Sequence, residues 1–418
     1  MTAKERVTAA LNHKQPDKVP LDFGAHGCSM MHVSCIKALR EYYGLKGHVK
    51  VSCPSTMTGI IENDLRDAIG ADVDGIFPYN NFFGYPNTDW KEWDYFGQTV
   101  LVPGQFEVSP DEKGGYHLYP QGDRLAPPSG HLPKGGFYFD TIIRQQPFDD
   151  IAELDYRDNL EEYKPISGQE LAYYSAEAAR LKNSARAVIG NFGSTALGDI
   201  SNVPAPWLKN PKGIRSIEDW YMAPLLCPEY VHNIFHAQTE IAIQNLAKVK
   251  AAVGDSVDAA FICGTDFGTQ ISLMVSADVF KEIWFPYYKK MNDWVHKNTN
   301  WKTFKHSCGA IRDILPLLID AGFDIINPVQ CSATGMDAKE LKKEFGSSLV
   351  FWGGGIDTQK VLPFGTPEEV REQVLRRCEI FSPGGGFVFN SVHCVQAGTP
   401  VENIVAMIDA VHEFNGGR

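Results

Sequence analysis

The sequence predicts a single α/β domain, a (β/α)8 TIM barrel that spans residues 1–418. Eight short apolar runs recur along the chain, and each is too apolar for a sheet with one face in water. Segments with helical spacing separate most of these runs, which is the alternation expected of a parallel barrel. The predicted strands are residues 19–23, 73–77, 186–192, 258–263, 302–306, 323–327, 349–352 and 386–390.

Other segments of the chain lie outside this alternation. Residues from Met1 onward form a predicted amphipathic helix, so we expect an N-terminal helical extension. Residues 79–165, after the second strand, are rich in Gly, Pro and aromatic side chains and lack a helix–strand rhythm. We interpret them as a long insertion over the barrel mouth and not as a second domain. Within it, residues 99–108 and 116–119 are predicted to pair as an antiparallel hairpin.

Two helices and one loop are well marked in the second half. Residues 276–297 have helical spacing, with Ser276 as the cap and Pro286 expected to kink or disrupt the helix. Residues 310–321 place apolar side chains on one face, and this helix is predicted to stop at Gly322. Residues 202–214 are Pro-rich and are expected to form another long loop at the catalytic end.

Composition narrows the class of protein. With 44% hydrophobic and 22% charged residues, the chain has the balance of a globular enzyme. A net charge of −12 argues against nucleic acid or an anionic membrane as a partner. The nine cysteines are odd in number and scattered, which favours reduced thiols over a disulfide framework. No signal peptide and no apolar run of about 18 residues is present, so we expect a soluble, cytoplasmic protein.

His306, Cys308 and Cys394 carry the strongest chemical signal. His306 and Cys308 lie two positions apart at the end of the fifth predicted strand, so their side chains face the same way. Residues just beyond the strand ends of a barrel converge on one mouth, which brings Cys394, after the eighth strand, to the same place. Imidazole and thiolate suit Zn²⁺, and three protein ligands leave a fourth position for substrate.

Three neighbouring residues are less clear in their roles. Cys331 follows the sixth strand and is a further candidate ligand, with Gln330 as the alternative residue that faces the site. His393 is expected to point away from the metal because side chains alternate along a strand. The structural alternative for each His or Cys is packing, since Cys is among the residue types most often buried.

Zinc at such a site would favour group transfer. Coordination deprotonates a bound thiol, and the thiolate is a nucleophile for an electrophilic methyl group. Alternatively, the metal polarises an ether oxygen and makes it a better leaving group. Neither route requires a redox role for the zinc.

Four more residues fall at strand ends and are candidates to contact the substrate: Asp22, His26, Asn191 and Asp266. Asp266 follows the fourth strand, where it would hydrogen-bond the substrate or accept a proton. The alternative is an Asp that caps the next turn.

The chain resembles the uroporphyrinogen decarboxylase superfamily, and within it the zinc-dependent, corrinoid-linked methyltransferases. Residues 2–23, 264–270, 306–330 and 392–410 carry the resemblance, which extends over essentially the whole chain. In methyltransferases of this type a His-x-Cys pair and a late Cys bind zinc, which implies His306, Cys308 and Cys394 here. The spacing is also similar to cobalamin-independent methionine synthase, in which another ligand lies in the region that here holds Cys331.

The resemblance also bears on the substrate side. It implies that Asp266 faces the substrate, because the similar motif keeps an acid there. It implies that His26 shapes specificity, because related sequences usually have a small residue at that position. Porphyrin decarboxylases carry an Arg-rich segment after the first strand, whereas residues 24–31 of this chain contain no Arg. A polycarboxylate would lack its bidentate partners, which argues against uroporphyrinogen as substrate.

Three functions are therefore candidates for this protein. The first is a zinc-dependent methyltransferase that moves a methyl group between a small methylated compound, or a thiol or folate acceptor, and a corrinoid protein. Since the chain has no Asp-x-His-x-x-Gly motif, the corrinoid (cobalamin) would arrive on that partner protein. The alternatives are a metal-free decarboxylase of a smaller acid and a non-enzymatic corrinoid-binding protein. The sequence leaves the donor, the acceptor, the direction of transfer and the oligomeric state open, with a homodimer as one option.

Overall fold

The computed structural model describes residues 1–160 and 163–417. The predicted insertion and the predicted 1–418 domain thus include residues 161, 162 and 418, which lie outside the described residues. The described α-helices are α1 (Ala3–Leu11), α2 (Val33–Tyr42), α3 (Asn63–Ile69), α4 (Gly168–Leu181), α5 (Ile217–Leu226), α6 (Pro228–Val253), α7 (Ala277–Ile283), α8 (Phe285–Asn298), α9 (Leu315–Asp320), α10 (Ala338–Phe345), α11 (Val361–Phe364), α12 (Pro367–Phe381) and α13 (Val401–Phe414).

The same part of the chain forms strands that belong to three sheets. They are β1 (Met31–His32), β2 (Val49–Cys53), β3 (Thr58–Gly59), β4 (Val73–Ile76), β5 (Lys91–Tyr95), β6 (Gln98–Val102), β7 (Val108–Pro110), β8 (Tyr116–Leu118), β9 (Gly130–Leu132), β10 (Asp140–Thr141), β11 (Ala187–Gly190), β12 (Ala259–Cys263), β13 (Lys302–His306), β14 (Ile325–Asn327), β15 (Val350–Trp352) and β16 (Phe387–Val388).

The central sheet contains seven parallel strands in the order β16-β15-β14-β13-β12-β11-β4. These strands coincide with the last seven strands predicted from the sequence, which are thereby confirmed. The predicted strand at residues 19–23 is reduced to a single bridge, in which Leu21 pairs with Phe389 in parallel. Pro20 has no N–H to donate, so a longer ladder is interrupted there.

Residues 20–22 nevertheless connect the two edges of the curled sheet. On one side the amide of Phe389 donates to Pro20 O at 2.8 Å. On the other side the amide of Asp72, next to β4, donates to Leu21 O at 2.8 Å. The result is a mixed α/β fold with a curled parallel sheet of the TIM-barrel type.

The inside of the curled sheet is filled by apolar side chains, and α1 covers its N-terminal end. Val7, Ala10 and Leu11 of α1 are buried against this inner cluster. The helix is also tied to the sheet through its backbone, since the amide of Gly386 donates to Ala10 O at 3.0 Å. The cluster members contributed by the central strands are Val73, Ala187, Ile189, Ala259, Phe304, Ile325, Val350, Trp352 and Val388.

The helices marked by the sequence are present. Ser276 caps α7, accepting a hydrogen bond from the amide of Val279 at 3.2 Å. The predicted disruption at Pro286 is also found, since the helix breaks at Trp284 and restarts as α8. The helix predicted at 310–321 is shorter, with a 3-10 turn before α9, and it ends at Gly322 with φ of +86°. None of the described helices has the length and apolar composition that a membrane crossing requires.

The hairpin predicted within residues 79–165 is confirmed at Val108, which pairs antiparallel with Leu118, and is wrong for residues 99–102. Residues 99–108 do not form one strand, because Pro103 and Gly104 interrupt them. The part before the break belongs to β6, which pairs antiparallel with β5 and parallel with β2. The part after the break is β7, which pairs with β8 as the second half of a separate four-stranded sheet. The prediction failed because it treated one run of β-forming residues as one strand.

We expect the substitution Leu11→Ala to lower the free energy of unfolding by about 2–5 kcal/mol, because it leaves a cavity in the inner cluster. Thr8→Ala on the exposed face of α1 is the matched control, with an expected change within about 0.5 kcal/mol. Urea unfolding followed by circular dichroism measures both. Equal midpoints for the two variants would show that α1 does not seal the sheet.

Candidate active site

Side chains with metal-binding atoms meet at the mouth formed by the C-terminal strand ends. His306 belongs to two groups whose donor atoms lie within 4.8 Å of one another. One group adds Asp266 and Cys308, and the other adds Cys28 and His393. We call these five residues the donor cluster. They come from the ends of β12, β13 and β16 and from the turn that follows residues 20–22.

The distances from His306 Nε2 to its neighbours are compatible with ligands of a metal ion. Its Nε2 lies 3.5 Å from Cys308 Sγ, 3.8 Å from Cys28 Sγ and 3.6 Å from Asp266 Oδ1. A nitrogen at about 2.0 Å and a sulfur at about 2.3 Å from a tetrahedral zinc ion are about 3.5 Å apart. Each of the two groups around His306 therefore has ligand types that suit zinc, and the distances from His306 Nε2 to the sulfurs fit a shared ion; Cys28 and Cys308 belong to different groups.

The His306 ring is oriented by its other nitrogen. Nδ1 lies 2.6 Å from Asn327 Oδ1, and Asn327 Nδ2 donates to Trp352 O at 2.7 Å. Because that second bond uses the amide N–H, the oxygen of Asn327 accepts from Nδ1–H of His306. In the neutral ring, Nε2 then carries the lone pair and points at the donor cluster.

Burial governs the protonation of the donor cluster. It raises the pKa of the Cys28 and Cys308 thiols well above the usual value, and nearby negative groups add to the effect. It lowers the pKa of His306 and brings the pKa of His393 to about 4. The imidazoles are thus neutral near pH 7 and available as ligands, whereas the thiols release protons when a metal binds.

Cys394 and Cys331 were both predicted as ligands, but neither belongs to the donor cluster. Cys394 is buried at the mouth, where its Sγ donates to Gly27 O at 3.0 Å. Its charge raises the pKa of Cys28, so it lies near the donor cluster, but it belongs to neither of the two groups within 4.8 Å. Cys331 instead lines a separate cavity of about 600 Å³, beside Asp337 and Arg377.

The loop that carries Cys308 is held at two points. Gln330 is buried, accepts a hydrogen bond from the amide of Gly309 at 2.8 Å, and donates to Gln270 at 2.9 Å. Gly309 has φ of +88°, and a Cβ there would lie 2.3 Å from the carbonyl oxygen of Gly268. Gln330 therefore positions the loop, and glycine is required for the close approach of two backbone segments.

Asp266 also contributes to this arrangement. Its Oδ1 accepts from the amide of Cys308 at 2.7 Å, and its carbonyl accepts from the Tyr221 hydroxyl at 2.9 Å. Behind it, the fully buried Lys305 donates to the carbonyl oxygens of Thr265 and His306. Lys305 thus joins the ends of β12 and β13 from the outside of the sheet, a role that the sequence did not reveal.

Asp22 and His26 lie beneath the donor cluster. Both are almost completely buried, and His26 Nε2 is 3.1 Å from Asp22 Oδ2. Burial opposes ionisation of Asp22, but the His26 charge and hydrogen bonds from His26 and Trp352 lower its pKa overall. His26 also packs against Phe304 with ring centroids 5.0 Å apart. The pair forms the floor of the mouth.

A cavity of about 480 Å³ adjoins the donor cluster through Gly27 and Met30. Asn191 lines it, and its Oδ1 accepts from the amide of Gly193 at 3.1 Å. Residues of the 79–165 segment, including Asn80 and Phe82, form another wall. Of the five residues predicted to contact the substrate or face the site, Asn191 lines this cavity, whereas Asp22, His26, Asp266 and Gln330 are not among its described lining residues.

Sequence reasoning missed two members of the donor cluster. Cys28 follows the first predicted strand, so the argument from strand ends that selected Cys394 applies to it equally. His393 was expected to face away, but β16 ends at Val388 and strand alternation does not continue to residue 393. Its ring lies 5.5 Å from that of His306, measured between centroids. The expectation for His393 is therefore wrong.

Known proteins are similar to this chain over much of the barrel and its site loops. A sequence model of uroporphyrinogen decarboxylase (URO-D) matches residues 200–414, about half of the chain. The chain belongs to the uroporphyrinogen decarboxylase family. The matched region includes β12 to β16 and, within the donor cluster, Asp266, His306, Cys308 and His393.

Individual relatives in this family are distant. A uroporphyrinogen decarboxylase from Anaeromyxobacter dehalogenans (strain 2CP-C) is 26% identical over 195 residues, 45% of this chain and 49% of the relative. One from Pseudoalteromonas translucida (strain TAC 125) is 33% identical over 89 residues, 20% of this chain and 24% of the relative. The chain therefore spans about half or less of the length of the curated relatives it matches.

A solved structure agrees over nearly the whole chain. A methyltransferase from Methanosarcina mazei superposes with a TM-score of 0.52, covers 99% of each chain and is 16% identical in sequence. At that identity the likeness establishes the fold.

We expect Gly309→Ala to destabilise the protein by about 1–3 kcal/mol or more, because Ala at φ of +88° is strained and its Cβ meets the Gly268 carbonyl. Gly27→Ala is the matched control at the same mouth, since a Cβ at Gly27 has no atom within 4 Å. Thermal unfolding of both variants measures the difference. If both variants melt together, the close contact between the two loops is not a constraint.

Proposed function

We propose that the donor cluster binds one zinc ion and that the protein is a zinc-dependent, corrinoid-linked methyltransferase. The carrying observation is the spacing of 3.5 to 3.8 Å from Cys308 Sγ and Cys28 Sγ to His306 Nε2. His306 and Cys308 are also the pair that the sequence resemblance assigns to zinc. When bound, zinc would deprotonate a thiol or polarise an ether oxygen.

The residues around the ion have separate tasks in this proposal. His306 and Cys308 hold the metal, and Asn327 keeps Nε2 of His306 unprotonated. In the geometry described, Asp266 completes the group of His306 and Cys308, whereas Cys28 belongs with His393 to the other group around His306. Cys28 and Cys394 are the two candidate sulfurs for the third ligand, and variants distinguish them. Asp266 fixes the Cys308 amide and, with 27% of its side chain exposed, accepts a proton or a hydrogen bond from the substrate.

The reaction proposed is transfer of a methyl group between a small methylated compound, or a thiol or folate acceptor, and a corrinoid protein. The donor atom keeps the electron pair of the broken bond, and the acceptor supplies the pair for the new one. The agreement in fold with a methyltransferase over 99% of both chains supports this assignment. Since no corrinoid-ligand motif is found, the cobalamin would be carried by the partner protein.

The remaining parts of the chain fit the same proposal. We assign residues 79–165 as an insertion over the mouth of a single 1–418 barrel domain, because Asn80, Asn81 and Phe82 line the cavity. We assign α1 as an N-terminal extension that closes the opposite end.

A metal-free decarboxylase of a smaller acid is the second candidate, and the names of the relatives favour it. A carboxylate substrate is stabilised by cationic side chains that pair with it. Among the described residues that line the 480 Å³ cavity, none is Arg, Lys or His. That lining favours methyl transfer over the decarboxylase.

We expect about one zinc ion per chain in the purified protein, measured by elemental analysis. Cys308→Ser and Cys28→Ser are each expected to weaken zinc binding by about tenfold or more, because each removes a ligand. Cobalt(II) substitution gives a second readout, since the sulfur-to-cobalt charge-transfer band weakens with each lost thiolate.

Cys331→Ser is the matched control and is expected to keep the wild-type zinc content, because Cys331 lines a different cavity. Loss of zinc in Cys394→Ser with retention in Cys28→Ser would move the third ligand to Cys394. Full zinc in Cys308→Ser would exclude the proposed site.

Zinc-loaded protein is expected to accelerate the demethylation of free methylcobalamin by a thiol or a folate, followed by the visible absorption of the corrinoid. Cys308→Ser should abolish most of this rate, whereas Cys331→Ser should leave it unchanged. If no thiol or folate acceptor supports demethylation and a small carboxylic acid loses CO₂ without zinc, the protein is a decarboxylase.

A further inference from the structure

The cavity beside the donor cluster has one charged side chain among its described lining residues, Asp199. Asp199 is 8% exposed, and its Oδ1 accepts from the amide and the hydroxyl of Ser201 at 3.0 and 2.7 Å. Its Oδ2 accepts no hydrogen bond from the described residues and is not among the fully buried unpaired atoms. Oδ2 faces Gly264, which also lines the cavity, since a Cβ on Gly264 would lie 2.6 Å from it. The structure thus leaves one carboxylate oxygen available to a ligand.

Burial raises the pKa of Asp199, and the negative charge of Asp266 acts in the same direction. A carboxylate in this position gains from a positive partner that compensates for lost hydration. No Lys, Arg or His is present among the described lining residues to supply that partner. Lys305 lowers the pKa from outside the cavity but does not line it.

Five aromatic residues line the cavity together with uncharged polar side chains. Phe82 and Trp207 both line the cavity and meet edge to face at 73° with ring centroids 5.7 Å apart; we call this pair the Phe82–Trp207 corner. Phe77, Tyr163 and Phe261 also line the space. A cation within about 6 Å of an aromatic ring is attracted by the negative face of the ring. Aromatic walls with one acid are the combination that recognises organic cations.

The Asn side chains in the cavity wall do not change its net charge. Asn81 Nδ2 donates to Asn87 Oδ1 at 3.0 Å, and Asn87 Nδ2 donates to Ser52 O at 3.0 Å. These side chains therefore satisfy one another and add no net charge. The electrostatic character of the cavity is set by Asp199.

We propose that this cavity binds a small organic cation, a methylated ammonium compound, between Asp199 and the Phe82–Trp207 corner. Gly27 and Met30 in the cavity wall flank Cys28 of the donor cluster, so a bound ligand lies next to the cluster. The proposal deepens the proposed methyl transfer by naming its substrate class, and it rests on that function only for the fate of the ligand. Binding itself requires no metal.

The test uses choline and its uncharged isostere 3,3-dimethylbutan-1-ol, which differs in having carbon in place of the ammonium nitrogen. Isothermal titration of the full chain, with and without added zinc, measures both dissociation constants. We expect choline to bind at least about fivefold more tightly than the isostere, because the ring faces and the carboxylate attract only the cation.

Two variants examine the two halves of the site. Asp199→Asn keeps an oxygen to accept from Ser201 and removes the charge, so it should reduce the preference for choline by about fivefold or more. Trp207→Leu should weaken choline binding and spare the isostere. Glu112→Gln, on the exposed turn between β7 and β8, changes the net charge equally and should have no effect.

Equal affinities for choline and the isostere, or no binding of choline, would overturn the proposal. An unchanged preference in a folded Asp199→Asn variant would do the same. Because the titration is also run without zinc, these results leave the zinc proposal standing. Conversely, loss of the zinc site with retained choline preference would remove the methyl-transfer assignment and keep the cation site.

Discussion

The hydrogen bond between His306 Nδ1 and Asn327 Oδ1 links the barrel wall to the chemistry at its mouth. Asn327 is itself fixed by donation to the backbone of β15, so two neighbouring strands determine which imidazole nitrogen is unprotonated. The positions of Cys308, Cys28 and Asp266 matter because they surround that nitrogen. A ring turned over, or a different tautomer, would leave the same residues unable to share an ion.

The sequence revealed those features that depend on burial and on strand order. Central strands are buried on both faces, so apolar runs located seven of them. His306, Cys308 and Asp266 follow adjacent strands, β12 and β13, and strand order alone brings them together. The pairing of β6 with β5 and β2 was not predictable in this way, because these short strands mix buried and exposed side chains and have no continuous apolar run.

The positions of residues in loops were not predictable from the sequence. Cys28 is positioned by a 3-10 turn, Gly27–Ser29, whose direction no periodicity encodes. Cys331 follows the same strand as Asn327, yet it lines a separate cavity with Asp337 and Arg377, while its neighbour Gln330 bonds the amide of Gly309. The cavity depends on segments far apart in sequence, such as Asn80 and Trp207, and their meeting is a property of the packed fold.

Leu21 pairs with Phe389, and Ala10 accepts from Gly386, so the first and last parts of the barrel complete each other. During synthesis on the ribosome, α1 emerges with its apolar face long before its partners exist. The apolar face of α1 therefore stays exposed until β16 has left the exit tunnel. Contacts of this sequence separation make folding slow and leave early intermediates with exposed apolar surface. We therefore expect nascent chains that lack the last strand to depend on chaperones.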